Sequence, residues 1–352
     1  MDQLTTSTAR PRVTLVVPNY NHARYLPESL GSIAAQTRAP DRVLIIDDAS
    51  CDDSIAVISR FIAEHPGWEL IRHNKNRGVV AGQNEAIGLV DTDWIGFLGA
   101  DDALHPHYLE RSLAPAENCP EAGLICACTE IIGTRETRAL RPIMLPESHS
   151  AFLRPDDVRK ALRVGDNYFS GTVSLYRRSA LVALGNFDEK LGSFADAFLA
   201  RQVALTYGVF FVAEILGYWR IHGQNYSMTT ATDPKVLSER LSRIRALIAA
   251  STLFPQGYDD AFERRTRFGA ARIVISAETE PSAKTERAAA LLGFGALEQR
   301  WLGLLLPLGF LGILAALAWA ALRTRPMSFT RLLSQWPRRR AIVAARAAYR
   351  PA

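Results

Sequence analysis

The chain has 352 residues, 48% apolar and 22% charged, which is enough to bury a large core in one domain or two and too apolar for a disordered chain. The formal net charge of +5 averages unlike parts: residues 301–352 hold eight arginines and no acidic residue, which leaves residues 1–300 at −3. The basic end lacks the interleaved aromatics that stack bases, so nucleic acid is not an expected partner.

The four cysteines (Cys51, Cys119, Cys126, Cys128) have no metal-ligand spacing; Cys126 and Cys128, two apart in an apolar run, read as small core residues in a reducing compartment. No apolar run lies in the first twelve residues, so no secretory leader is expected.

Strand and helix signals alternate over residues 12–100. Val13 to Pro18 reads as a buried strand, followed by helical spacing with Leu26, Leu30, Ile33 and Ala34 on one side and Tyr25, Ser29, Ser32 and Gln36 on the other. Val43 to Ile46 is a second strand running into Asp47-Asp48, and Asp52 or Asp53 can cap the next helix. Trp68 to Ile71 is a third strand, Val79 to Leu89 a further helix, and the run from Trp94 a fourth strand ending at Asp101-Asp102. Such alternation predicts a mostly parallel sheet with flanking helices.

Ligands of open α/β sheets bind beyond the carboxyl ends of the strands. Asn19-Tyr20-Asn21, Asp47-Asp48 and Asp101-Asp102 all fall there. Two adjacent carboxylates at a strand end are costly to bury without positive charge, which points to a bound hard cation such as Mg²⁺ or Mn²⁺.

From about residue 103 to 230 the pattern is mixed, with strand-like runs at 123–132 and 172–176 and helical ones near 155–163 and 195–205. Residues 235–300 read as helices with a polar break around 278–284. Trp301 to Leu322 is twenty-two residues without a charge, long enough for a membrane span. Positive-inside logic keeps the arginine tail in the cytosol, which conflicts with a single crossing if the body is cytosolic too. A re-entrant or interfacial segment broken at Pro307 and Gly309 resolves the conflict, as does a span whose tail is translocated despite its charge; the first is the favoured expectation.

The ordered blocks Val16–Asn21, Ile45–Ser50, Asn76-Arg77-Gly78 with Asn84, and Gly99–Asp102 resemble family 2 glycosyltransferases, as do three later segments. Gly185–Glu189 is similar to that family's G-G-F-D-E element, Phe194-Ala195-Asp196 to its E-D element, and Tyr218–His222 to its closing Y-R-x-H segment. The resemblance implies the Rossmann-like GT-A fold over residues 12–230. A helical extension at 231–300, the apolar membrane-associated segment at 301–322 and a basic cytosolic tail at 323–352 follow.

It also implies roles. Asp48 accepts from the nucleobase, with Pro18, Asn19, Tyr20, Arg77, Asn84 and Asp101 completing the nucleotide-sugar side. Asp102 and His222 hold Mn²⁺ or Mg²⁺, and Asp196 is the catalytic base of an inverting transfer. Asn167, Tyr168 and Arg220 face the acceptor. Two departures stand out: many members carry an acid where this chain has Gly99, and a Glu where it has Ala195.

The expected activity is transfer from a nucleotide-diphosphate sugar, UDP-sugar foremost, to a lipid-linked saccharide or polysaccharide at the cytoplasmic face of the inner membrane. The alternatives are a nucleotidyltransferase, which needs a glycine-rich loop after the first strand, and a non-catalytic sugar-nucleotide binder.

Overall fold

The computed structural model describes residues 10–117, 119–133, 140–141, 144–165, 169–223, 225–326 and 329–344. Contacts divide the chain into two compact units. One is drawn from residues 1–161, 167–222 and 335–352, the other from 162–166 and 223–334.

The first unit is built on one sheet. Its strands are β1 (Val13–Asn19), β2 (Arg42–Asp47), β3 (Trp68–Arg72), β4 (Trp94–Phe97), β5 (Ala103–Leu104), β6 (Leu124–Ile132), β7 (Leu140–Arg141), β8 (Ala151–Leu153), β9 (Ser174–Arg177) and β10 (Val209–Arg220). The order across the sheet is β3-β2-β1-β4-β9-β6-β10-β5, with β7 on β6 and β8 on β10. Strands β1 to β4 are parallel, β9 runs antiparallel between β4 and β6, and β10 is parallel to β6.

Parallel neighbours need crossovers, and the helices Leu26–Ala34, Ser54–Glu64 and Val79–Leu89 supply them. Leu15, Val17, Ile45, Leu30, Ile33 and Ile58 bury one sheet face against two of these helices, each at most 1% exposed. Shortening any of them to alanine costs about 2–5 kcal/mol.

Pro18 sits in a central strand, where a missing N–H usually breaks a ladder. Here the pairing of β1 with β4 ends at Val16, whose carbonyl accepts from Leu98. Alternate residues present their N–H groups to the same side, so the nitrogen of Pro18 faces the gap beyond the end of β4.

The polar side of the helix Leu26–Ala34 is not a solvent face. Ser29 and Ser32 are buried, and the Ser32 hydroxyl accepts from Leu104 N. Just past the helix, Gln36 donates to the His105 carbonyl and accepts from Leu109 N.

The second unit is helical: Pro234–Ala249, Tyr258–Ala277, Pro281–Leu292 and Ala296–Leu305. Asp233 caps the first through Lys235 N and Val236 N, and the expected polar break falls between Ala277 and Pro281. Ala296–Thr324 is long and apolar enough to cross a membrane, with only 22% of its most apolar window buried. It is interrupted by a 3₁₀ turn at Leu306–Leu308, followed by Gly309 at φ +67°. That is the expected break, at a residue able to take a left-handed backbone.

The basic end is not simply a solvated tail. In the helix Phe329–Ala344, Gln335 accepts from Leu145 N, Arg338 donates to the carbonyls of Leu145 and Pro146, and Arg339 donates to that of Leu140.

Candidate active site

The carboxyl ends of β1, β2 and β4 gather three polar groups. At the first, Asn19 donates to Asp47 Oδ1 at 2.8 Å and to Ser50 Oγ at 3.1 Å, while its own Oδ1 is buried with no hydrogen-bond partner. An orphaned buried acceptor costs about 1–3 kcal/mol. Asn21 (φ +55°) and Ala49 (φ +64°) turn the two loops, and Asn21 N is held by Ser50 Oγ.

Asp48 is the centre of the second group. Its carboxylate receives His73 Nδ1 at 2.7 Å, Arg77 N at 2.9 Å and Gly78 N at 2.8 Å. Burial raises the carboxyl's pKa, but the bonds from His73 and the two amides outweigh that and hold it below the usual carboxylate range. On its other side His73 meets Glu85 at 3.0 Å, and Glu85 pairs with Arg77 at 2.5 Å.

The third group separates the two aspartates after β4. Asp102 turns inward: its carboxylate accepts from Thr172 Oγ1 at 2.8 Å and from Arg220 N at 2.9 Å. Burial, and then the charge of Asp101, push its carboxyl well above the ordinary range. Asp101 turns the other way, with Oδ2 3.0 Å from His222 Nε2. His22, Asp101 and His222 form the cluster whose donor atoms all lie within 4.8 Å of one another. Two imidazoles and a carboxylate fit a divalent transition metal. Burial lowers the pKa of His22, which favours the neutral ring that ligates.

Tyr25 stacks on His222 with ring centroids 4.9 Å apart, and the Arg220 guanidinium lies 5.4 Å from the Tyr25 centroid. Arg220 also pairs with Glu28 and donates to the Asp101 carbonyl at 3.0 Å.

Asp196 stands in the first turn of the helix Ala195–Tyr207, and its Oδ1 accepts from Ala197 N at 2.6 Å. Burial raises its carboxyl above the ordinary range. It packs on the 3₁₀ turn Gly171–Val173: a Cβ at Gly171 would lie 2.6 Å from Asp196 Oδ2. The neighbouring Thr172 holds Asp102. One turn therefore touches both carboxylates.

The expected residues thus separate. Asp48, Asp101, His222, Asn19 and Asp196 lie in these groups, with Pro18 and an exposed Tyr20 at the end of β1. Asn84 does not join them. Its amide donates to the Phe187 carbonyl at 2.9 Å and accepts from Phe187 N at 3.0 Å, clasping the Gly185–Glu189 loop. Arg77 reaches the site through its backbone, because its guanidinium is turned to Glu85. Asp102 is held by protein donors rather than in the His–Asp–His cluster, since Thr172 and Arg220 N draw it inward. Arg220 steadies Asp101 and Glu28. Asn167 and Tyr168 lie outside the described residues.

Sequence reasoning missed His22, His73 and Thr172. The first two follow β1 and β3 at the same sheet edge, so the strand-end rule already pointed to them.

Comparison with known proteins agrees with this geometry. Residues 14–185 match the model of Glycosyl transferase family 2. The chain is 28% identical over 224 residues to the uncharacterized glycosyltransferase alr2836 of Nostoc sp. (strain PCC 7120 / SAG 25.82 / UTEX 2576), covering 63% of this chain and 68% of that one.

Among solved structures it is similar to S. aureus TarS 1–349 in complex with UDP-GlcNAc, with TM-score 0.60, 14% identity, and coverage of 90% and 93%. It is also similar to the mannosyltransferase PcManGT of Pyrobaculum calidifontis in complex with GDP-Man and Mn²⁺, with TM-score 0.54, 20% identity, and coverage of 96% and 86%. A sheet of this order, its polar groups collected at one edge and a matching domain agree: the chain is a glycosyltransferase of GT-A fold, and its residues 14–185 belong to glycosyltransferase family 2.

Proposed function

We propose that the enzyme is a divalent-metal-dependent inverting transferase that moves a sugar from a nucleotide-diphosphate donor, UDP-sugar foremost, to a hydroxyl of a lipid-linked saccharide or polysaccharide. The observation that carries this reading is the turn Gly171–Val173, which places the carboxylate of Asp196 one residue away from the side chain that holds Asp102.

Asp48, kept ionised by its three donors, has the acceptor oxygens a uracil or thymine N3–H needs, and the orphaned Asn19 Oδ1 offers a second acceptor nearby. Asp101 and His222 are the residues that would hold the metal, which when bound offsets negative charge on the departing diphosphate. Asp196 takes the proton of the acceptor hydroxyl as that oxygen attacks the anomeric carbon. Its raised pKa makes it a stronger base than an ordinary carboxylate. Arg220 fixes the Asp101 backbone and pairs with Glu28, steadying the metal side.

The exposed Trp301, Leu304, Leu308, Phe310 and Leu311 of the apolar helix support attachment to a membrane, at its cytoplasmic face, where lipid-linked acceptors present their growing end. The test is a donor screen with the full-length protein in detergent: UDP-, dTDP- and GDP-sugars with Mn²⁺ or Mg²⁺, following transfer and donor hydrolysis. A UDP-sugar consumed only with metal, and not by Asp196→Asn, is the expected result. No turnover of any donor would sink the reading.

A further inference from the structure

We infer that His22 is a third protein ligand of the divalent metal, so that this chain builds a face of two histidines and one carboxylate. The inference rests on the transferase reading above and goes beyond it. That reading assigns metal to an aspartate after β4 and to His222, and supplies no third protein donor.

Gly99, just before the two aspartates, offers no side chain of its own. A Cβ there would meet Asp101 Oδ1 at 2.8 Å and Asp102 Oδ2 at 3.2 Å, so a side chain would displace the carboxylates it should assist. Asp102 is engaged by Thr172 and Arg220 N. Asp101 and His222 alone would leave a two-donor site. The third donor arrives from another strand. His22 follows the turn at the end of β1, and its ring nitrogen lies within 4.8 Å of the donors of both Asp101 and His222.

The spacing suits a metal. Two donors at right angles on bonds of about 2.1 Å stand about 3 Å apart, and His222 Nε2 and Asp101 Oδ2 are separated by 3.0 Å. His22 is also anchored by its backbone: its carbonyl accepts from Tyr25 N at 2.9 Å and from Leu26 N at 3.1 Å, so the helix entry does not depend on the imidazole. Tyr25, stacked on His222, buttresses the other ring. Imidazole suits the later transition ions such as Zn²⁺ best; Mn²⁺ shares the liking of Mg²⁺ for carboxylate and water but accepts a nitrogen donor more readily than Mg²⁺ does. The face therefore selects transition ions over Mg²⁺ more strongly than Asp101 and His222 alone.

The test reads metal binding directly. The full-length protein, with His22→Ala, His22→Phe and His222→Ala, is titrated calorimetrically with Mn²⁺ and with Mg²⁺, each with and without UDP. Unfolding in EDTA checks that the variants are folded. Even a lost supporting contact around a metal costs about 10–100-fold in affinity, so both His22 variants should lose at least roughly tenfold for Mn²⁺ and much less for Mg²⁺. His22→Phe keeps an aromatic ring against His222 without a ligating nitrogen. If it binds Mn²⁺ like the wild type while His222→Ala does not, His22 only packs and the inference is overturned; it is overturned equally if the wild type binds no Mn²⁺ in either condition. Wild-type Mn²⁺ binding that needs His22, with no sugar donor turned over, supports the site and defeats the transferase reading instead.

Discussion

Gly171 is the sharpest probe of the catalytic assignment, because it touches the proposed base without sharing its chemistry. An alanine Cβ at this position would stand 2.6 Å from Asp196 Oδ2, about 0.8 Å short of an ordinary 3.4 Å contact. The backbone there is not left-handed, so the added methyl acts through that contact alone. Asp196 cannot retreat freely, since Ala197 N holds its other oxygen at 2.6 Å. The carboxylate must swing by several tenths of an ångström. Misplacement of about 1 Å costs on the order of 100-fold in rate, so Gly171→Ala should lower kcat roughly 10- to 100-fold. Donor KM should stay within about twofold. Steady-state kinetics with the donor identified by the screen, and denaturant unfolding to confirm a folded protein, measure both. A folded Gly171→Ala enzyme with wild-type kcat would refute the placement of the base at Asp196.

The remaining predictions concern other parts of the structure. Because burial raises the Asp196 carboxyl, kcat should fall as pH drops through a value above the ordinary carboxylate range, and the residual activity of Asp196→Asn should lack that limb. The same shift makes ionised Asp196 a cost to the fold. Stability from this group is greatest below the unfolded pKa and declines as pH rises through the folded one, so the advantage of Asp196→Asn in Tm over the wild type should grow with pH across that interval. Asp48→Ala removes the acceptor that His73 Nδ1 and the amides of Arg77 and Gly78 share, leaving Gly78 N only Asn76 Oδ1; we expect a loss of about 1–3 kcal/mol in urea unfolding together with a raised donor KM. Arg338→Ala removes two bonds to backbone carbonyls and should cost roughly 1–3 kcal/mol by the same measure. A chain ending at Arg300 should no longer sediment with vesicles, and if it still does, the apolar segment is not the anchor.

Much of the architecture was legible because it is local. Alternating strand and helix signals up to residue 100 place β1 to β3 and the crossovers within about two residues, whereas β4 stops at Phe97, short of the expected Asp101-Asp102; Pro307 with Gly309 marks the break in the apolar helix. The site was legible only to the level of the strand end. Which of two adjacent aspartates turns inward depends on Thr172 and Arg220, 70 and 118 residues away in sequence, and no local pattern encodes that choice. Asn84 shows the same limit, since its partner Phe187 lies 103 residues on. Spacing sorted Ser29 and Ser32 onto the side away from Leu26 and Leu30, but not their burial, which follows from the strand Ala103–Leu104 packing there.

The arginines that grip the carbonyls of Leu140, Leu145 and Pro146 also change what residues 223–334 are. The first unit is left at His222 and rejoined at Gln335, so the helical unit is an insertion fastened at both ends rather than an appendage. The loop that this insertion makes in the chain has its closure entropy met once, during folding. Cutting the chain within that insertion therefore opens a loop and strips a brace from the catalytic body at the same stroke.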